Sequence, residues 1–83
     1  MYEVLLTREA EKQLKSIDKR YQKAIAQALL RLSANPQVGE ALAYDLKGQY
    51  RVKVSRYRIV YEINYAEKQV FVLMIEYRKD VYR

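Results

Sequence analysis

Histidine and cysteine are both missing from this chain of 83 residues. Without cysteine there is no disulfide framework, and without either residue there is no zinc site of the usual kind. The lack of histidine also removes the side chain that most often moves protons at neutral pH. No dense acidic cluster takes its place, so neither metal-assisted chemistry nor any cofactor is expected. No stretch approaches the roughly 18 apolar residues of a membrane span, and a membrane partner is not expected. Met1-Tyr2-Glu3-Val4 begins no basic segment followed by an apolar run, so no signal peptide is visible. With no cysteine to report on redox compartment, the default location is the cytoplasm.

Proline occurs once, at Pro36, and glycine twice, at Gly39 and Gly48. All three fall mid-chain and divide a helical first half from a strand-rich second half. No repeat, linker or low-complexity segment interrupts it. One domain over 1–83 is expected, near the size at which a single hydrophobic core becomes marginal. A deep cavity does not fit in so short a chain, so a site should be a surface or a shallow concave face.

Cations outnumber acids, 16 Lys+Arg against 10 Asp+Glu, for a net charge of +6. That balance points to an anionic partner, or serves only solubility. The distribution favours the partner: Lys47, Arg51, Lys53, Arg56 and Arg58 follow one another with no acid between them. Nine tyrosines accompany a complete lack of tryptophan. Tyrosine suits half-buried strands and also stacks on bases.

Tyr2 to Leu6 reads as a strand. Thr7 is a helix N-cap, with Glu9 and Glu11 in the first turns where negative charge suits the helix dipole. Asp18 caps a second helix whose stripe is Tyr21, Ile25, Ala28, Leu29 and Leu32, ended by Asn35-Pro36. The period then changes to two. Tyr50, Val52 and Val54 alternate with Arg51 and Lys53, and Tyr57, Ile59, Tyr61 and Ile63 form a second alternating set. After the polar turn Ala66-Glu67-Lys68, the nearly continuous apolar run Gln69 to Ile75 predicts an interior strand buried on both faces. The order is β-α-α-β-β-β, an α+β fold with a helical hairpin packed on one face of a small, mainly antiparallel four-stranded sheet. Tyr57 and Tyr61 read as core or half-buried sheet residues, and Glu62 as an edge or ion-paired residue.

Arg51 and Lys53 are two apart and project from one face of a strand. A short connection at Ser55-Arg56 returns the next strand alongside and brings Arg58 close. Arg78 arrives from the end of the last strand. Four crowded cations repel, and a fold tolerates that more readily where an anion binds; the plain alternative is a solvated basic face. Attack of a 2′-hydroxyl on its neighbouring phosphate needs a base, cations for the transition-state charge and an acid for the leaving oxygen. A lysine is a base only if its pKa falls towards neutrality, and crowding by cations pushes Lys53 that way. Arginine stays protonated, so Arg51 acts by electrostatics.

Leu46-Lys47-Gly48-Gln49-Tyr50-Arg51-Val52-Lys53-Val54, Tyr57-Arg58-Ile59-Val60-Tyr61, and Tyr77-Arg78 before Val81-Tyr82 together resemble the RelE/ParE toxin superfamily over essentially the whole chain. The resemblance implies a toxin of a type II toxin–antitoxin pair. In its RelE-like branch it implies a metal-independent endoribonuclease that cuts messenger RNA in the ribosomal A site, leaving a 2′,3′-cyclic phosphate and a 5′-hydroxyl. It implies catalytic roles for Lys53 as base, Arg58 for transition-state charge and Arg78 as acid. Arg51 and Tyr82 would hold substrate. The partners implied are a cognate antitoxin, expected to be acidic, together with ribosome and messenger; DNA is reached only through the antitoxin. The alternatives are a ParE-like inhibitor of DNA gyrase, which acts by binding, and a non-catalytic member that binds RNA or protein. Two departures stand out. The usual Gly-Asp turn is Ser55-Arg56, which predicts a longer or bulged connection. The frequent Gly-His-Arg is Glu76-Tyr77-Arg78, so Glu76 can pair with an arginine, and Arg83 competes with Arg78 for its role.

Overall fold

The computed structural model describes residues 1–41 and 48–78. Strand β1 (Glu3–Leu6) leads into α1 (Arg8–Ser16) and α2 (Lys19–Ala34), and a 3-10 turn (Pro36–Val38) leads to the two-residue strand β2 (Glu40–Ala41). Then follow β3 (Gln49–Val54), β4 (Tyr57–Asn64) and β5 (Gln69–Tyr77). The five strands form one mixed sheet in the order β1-β5-β4-β3-β2. β1 runs parallel to β5 and every other pairing is antiparallel. The predicted α+β layout holds, with one strand more than expected. β2 was missed because two residues are too few to show an alternating pattern.

The helices begin where the caps place them. Thr7 Oγ1 accepts from the Ala10 amide at 3.2 Å and donates to the Leu73 carbonyl at 3.0 Å, so one side chain caps α1 and ties it to β5. Asp18 accepts from the Arg20 amide at 2.9 Å to start α2. That hydrogen bond and the Arg20 guanidinium hold the Asp18 carboxyl below its usual range. Gln22 Nε2 donates to the carbonyls of Leu14 and Ile17, closing the corner between the helices. Asn35 ends α2 and caps the turn at Pro36.

The core lies between the helices and one face of the sheet. Ile25, Ala28 and Leu32 of α2 meet Ile59, Tyr61, Val70, Val72 and Ile75, all nearly or fully buried. Alternation decides which residues these are: Tyr50, Val52 and Val54 pair with Tyr61, Ile59 and Tyr57 on the helix side. β5 is interior as expected, but its second face is not buried. Met74 is 37% exposed, because the helices cover only one side of the sheet. The other side is an open face. It carries Leu5 and Phe71 as register partners, then Val60 and Met74, then a charged row.

The turn between β3 and β4 also differs from expectation. Val54 pairs directly with Tyr57, so Ser55-Arg56 is a two-residue turn. Ser55 adopts φ +56°, the left-handed region a glycine would enter without strain. A residue bearing a Cβ gives up roughly 1–2 kcal/mol there. Arg78 braces the turn: its amide donates to the Arg56 carbonyl at 2.7 Å and its guanidinium to the Ser55 carbonyl at 2.9 Å.

Candidate active site

Cross-strand register builds the site. Lys53 on β3 is the direct partner of Arg58 on β4, and Arg58 is the direct partner of Glu76 on β5. Opposed residues share a sheet face, so the three side chains form one row across three strands on the open face. Arg51, two residues before Lys53, projects from the same face opposite Val60. Arg78, two residues beyond Glu76, braces the turn at the end of this row. Arg51, Lys53, Arg58 and Arg78 are thereby gathered at one end of the open face. Tyr82 and its neighbour Arg83 lie outside the described residues.

Two cations of the group face carboxylates. Arg51 Nε donates to Glu40 Oε1 at 3.1 Å, which fastens β2 to β3 by its side chains as well as its backbone. Arg58 Nε stands 3.6 Å from Glu76 Oε2, so the arginine partner the sequence anticipated for Glu76 is Arg58. The side chains of Arg58 and Glu76 are 24% and 42% exposed; Arg58 Nε itself is shielded from solvent, so the carboxylate is the more accessible partner of the pair. Lys53 is exposed. An open depression of about 420 Å³ adjoins the row, lined by Val38, Gly39, Glu40, Arg51, Val52 and Lys53. It is shallow and polar, a surface an extended polyanion can lie across. The arrangement supplies charge for a phosphodiester.

Glu40 belongs to the site and sequence reasoning passed over it. Its position depends on the turn before it, and that turn is locked by Tyr61. The Tyr61 hydroxyl, fully buried, donates to the Pro36 carbonyl at 2.7 Å and accepts from the Gly39 amide at 3.1 Å. Tyr50 stacks on the Tyr61 ring with centroids 5.6 Å apart. A Cβ at Gly39 would meet the Tyr61 hydroxyl and come within 2.8 Å of the Arg51 carbonyl oxygen. Gly39→Ala is therefore expected to cost about 1–3 kcal/mol through overpacking. Urea denaturation measures it, and the penalty should shrink in a Tyr61→Phe background, where the hydroxyl is gone.

Glu62, on the same face, accepts from Gln49 Nε2 at 3.2 Å and stands away from the charged row. Tyr57 is half-buried, and its ring packs against Tyr21 and Tyr77 on the helix side. Tyr57 agrees with its reading as a half-buried sheet residue, whereas Glu62, read as an edge or ion-paired residue, stands on the interior strand β4 and meets an amide instead of a cation, because β3 and β5 flank β4 on both sides.

Among the described residues no helix is long and apolar enough to cross a membrane. Residues 4–82 match the family model described as ParE toxin of type II toxin–antitoxin system, parDE. Toxin RelG of Mycobacterium tuberculosis is 31% identical, over 99% of this chain and 97% of its own. The toxin–antitoxin complex RelBE2 of Mycobacterium tuberculosis contains a chain with TM-score 0.85 and 28% identity, over 93% of this chain and 98% of that one. The isolated RelE toxin of E. coli superposes with TM-score 0.84 over 99% of this chain and 92% of its own; at 20% identity that likeness is one of fold.

Proposed function

The chain belongs to the ParE toxin family of type II toxin–antitoxin systems, within the RelE/ParE superfamily, and from that premise we propose that it is a ribosome-dependent endoribonuclease that cuts messenger RNA in the A site. The observation that carries this reading is the row Lys53–Arg58–Glu76 on an open sheet face, with Arg51 and Arg78 beside it. A toxin that acted only by docking has no need to concentrate four cations on one small exposed area.

The 2′-oxygen of one nucleotide attacks the following phosphate. The bond from phosphorus to the 5′-oxygen breaks, leaving a 2′,3′-cyclic phosphate and a 5′-hydroxyl. Lys53, Arg58 and Arg78 are the catalytic cations, with Arg58 at the centre of the row stabilising the phosphorane charge. Arg51, steadied by Glu40, grips the phosphate backbone beside it, and Tyr82 holds the substrate. The ribosome fixes the messenger in place, and positioning of that kind supplies much of the rate enhancement. No metal or cofactor enters the scheme.

The cognate partner in this reading is an antitoxin whose acidic surface complements the net charge of +6. The RelBE2 complex, in which a relative is joined to its antitoxin, supports the antitoxin as partner; its acidity rests on the charge of this chain. DNA is reached only through the antitoxin, and the site of action is the cytoplasm. The match to the ParE model favours a second reading, inhibition of DNA gyrase by binding.

End-group analysis separates the two. Messenger recovered from programmed ribosomes treated with the chain should carry new 5′-hydroxyl ends that accept phosphate from polynucleotide kinase directly. Gyrase supercoiling should be unaffected at the same concentration. Intact messenger with inhibited supercoiling would replace the ribonuclease reading by the gyrase one.

A further inference from the structure

We infer that Glu76 is the proton acceptor of this site, an assignment that rests on the ribonuclease reading above. Chemistry narrows the candidates first. The group that takes the 2′-hydroxyl proton needs an available lone pair at neutral pH. The chain has no histidine or cysteine, and arginine is always protonated. A lysine or a tyrosine qualifies only after its environment moves it by several pH units. A carboxylate carries the lone pair already.

Among the described residues, four carboxylates sit on the open face. Glu3 and Glu62 accept the side-chain amides of Gln69 and Gln49, away from the cations. Glu40 holds Arg51 on the edge strand. Glu76 is the one in direct register with Arg58, and through it with Lys53. Its Oε2 lies 3.6 Å from Arg58 Nε, within ion-pair range and beyond a close hydrogen bond, and its side chain is 42% exposed. The carboxylate is thus oriented by a cation and open to a ligand.

The order along the row matters as well. Neighbouring strands stand about 4.8 Å apart, so the backbones of Lys53 and Glu76 lie about 10 Å apart on opposite sides of Arg58. An in-line displacement needs this disposition: base on one side, acid on the other, a cation over the phosphate between them. Glu76 takes the proton from the 2′-hydroxyl, and the oxygen's electron pair forms the new bond to phosphorus. The bond to the 5′-oxygen breaks, its pair stays on that oxygen, and the Lys53 ammonium supplies the proton. Solvent then removes the proton from Glu76 and restores the one on Lys53. This replaces the base role that family resemblance implies for Lys53 and the acid role it implies for Arg78, which is left to stabilise transition-state charge beside Arg58. It uses Glu76 and Lys53 in the charge state they ordinarily hold at neutral pH.

The test is single-turnover cleavage on programmed ribosomes with saturating protein. Glu76→Gln should lose about 10² to 10⁴-fold in rate with an unchanged melting temperature. Glu76→Asp, which keeps a carboxylate on a shorter stem, should recover part of the loss, and it replaces the Gln variant if that one folds poorly. Messenger with a bridging 5′-sulfur at the scissile phosphate then separates the roles, because a thiolate leaves without a proton. Lys53→Ala should be at least ten-fold less impaired on that substrate (an effect on the order of that expected for a general acid), and Glu76→Gln should stay impaired. Cleavage by Glu76→Gln at or above the parental rate overturns the assignment, as does rescue of Glu76→Gln by the sulfur substrate. If the parent chain makes no cut, the ribonuclease reading falls and the assignment with it. If the parent cuts and Glu76→Gln cuts equally well, only the assignment falls.

Discussion

Arg58→Ala should slow messenger cleavage on the ribosome by about 10³-fold while the protein remains folded. Arg58 stands on the interior strand β4, between Lys53 and Glu76. Its guanidinium reaches the open face and is not part of the core. Loss of a single transition-state cation in phosphoryl transfer costs roughly 10³ to 10⁵ in rate, and the partial overlap with Lys53 and Arg78 places this site at the low end. The structural cost is much smaller. The pair with Glu76 is only partly exposed and Arg58 Nε is shielded from solvent, which places its contribution at the upper end of the about 0–1 kcal/mol of exposed ion pairs. For a domain of this size that shifts the melting temperature by no more than roughly 4–8 °C. Arg58→Lys should recover only part of the rate, since a lysine keeps the charge and loses the planar fork that grips two phosphate oxygens. Single-turnover rates set beside thermal melts check both halves, and a parental rate in Arg58→Ala would remove it from the mechanism.

The largest effect on stability is expected at Tyr61. The residue is fully buried, with its ring against Tyr50 and its hydroxyl bridging Pro36 and Gly39. Tyr61→Ala should cost about 3–5 kcal/mol, as large aromatic-to-alanine changes in cores do. A chain of this length has roughly 4–12 kcal/mol in total, so this variant stands near the edge of folding. Tyr61→Phe keeps the ring and loses the hydroxyl, which should cost about 1–3 kcal/mol because the Gly39 amide and Pro36 carbonyl lose their partner. Burial raises the phenol above its ordinary value. A raised acid contributes stability that is complete below the unfolded phenol value and is lost as pH climbs past it. The parent should therefore weaken above about pH 10, and Tyr61→Phe should weaken less steeply there. Urea denaturation at pH 8 and at pH 10.5 measures both terms.

These expectations trace what the sequence made legible. The caps Thr7 and Asp18, the stripe Ile25–Ala28–Leu32 and the alternation in β3 and β4 identify the elements, because each depends on neighbours three, four or two residues away. The juxtaposition of Arg51, Lys53 and Arg58 followed from the same local arithmetic across one hairpin. Features set by distant register did not. The parallel pairing of β1 with β5 joins residues 66 apart in sequence, and nothing in either segment states it. β2 and Glu40 depend on a Tyr61 hydroxyl contributed from β4, two strands from β2 in the sheet. The exposure of β5 on its second face follows from the helices covering one side only, which an apolar run does not reveal. The pairing of Glu76 with an arginine was readable as a departure from the family motif, but that the arginine is Arg58 required the β4–β5 register. The tight turn at Ser55 was read from its missing glycine as longer. It is held short by Arg78, whose reach to the Ser55 and Arg56 carbonyls required the fold.

The central claim, a messenger-cutting site on the open face, is tested most directly by primer extension on programmed ribosomes, comparing the parent chain with Lys53→Ala/Arg58→Ala. New messenger ends are expected at the A-site codon with the parent and none above background with the double variant, both proteins being folded. No new ends with the folded parent, or equal cutting by the double variant, would contradict that claim.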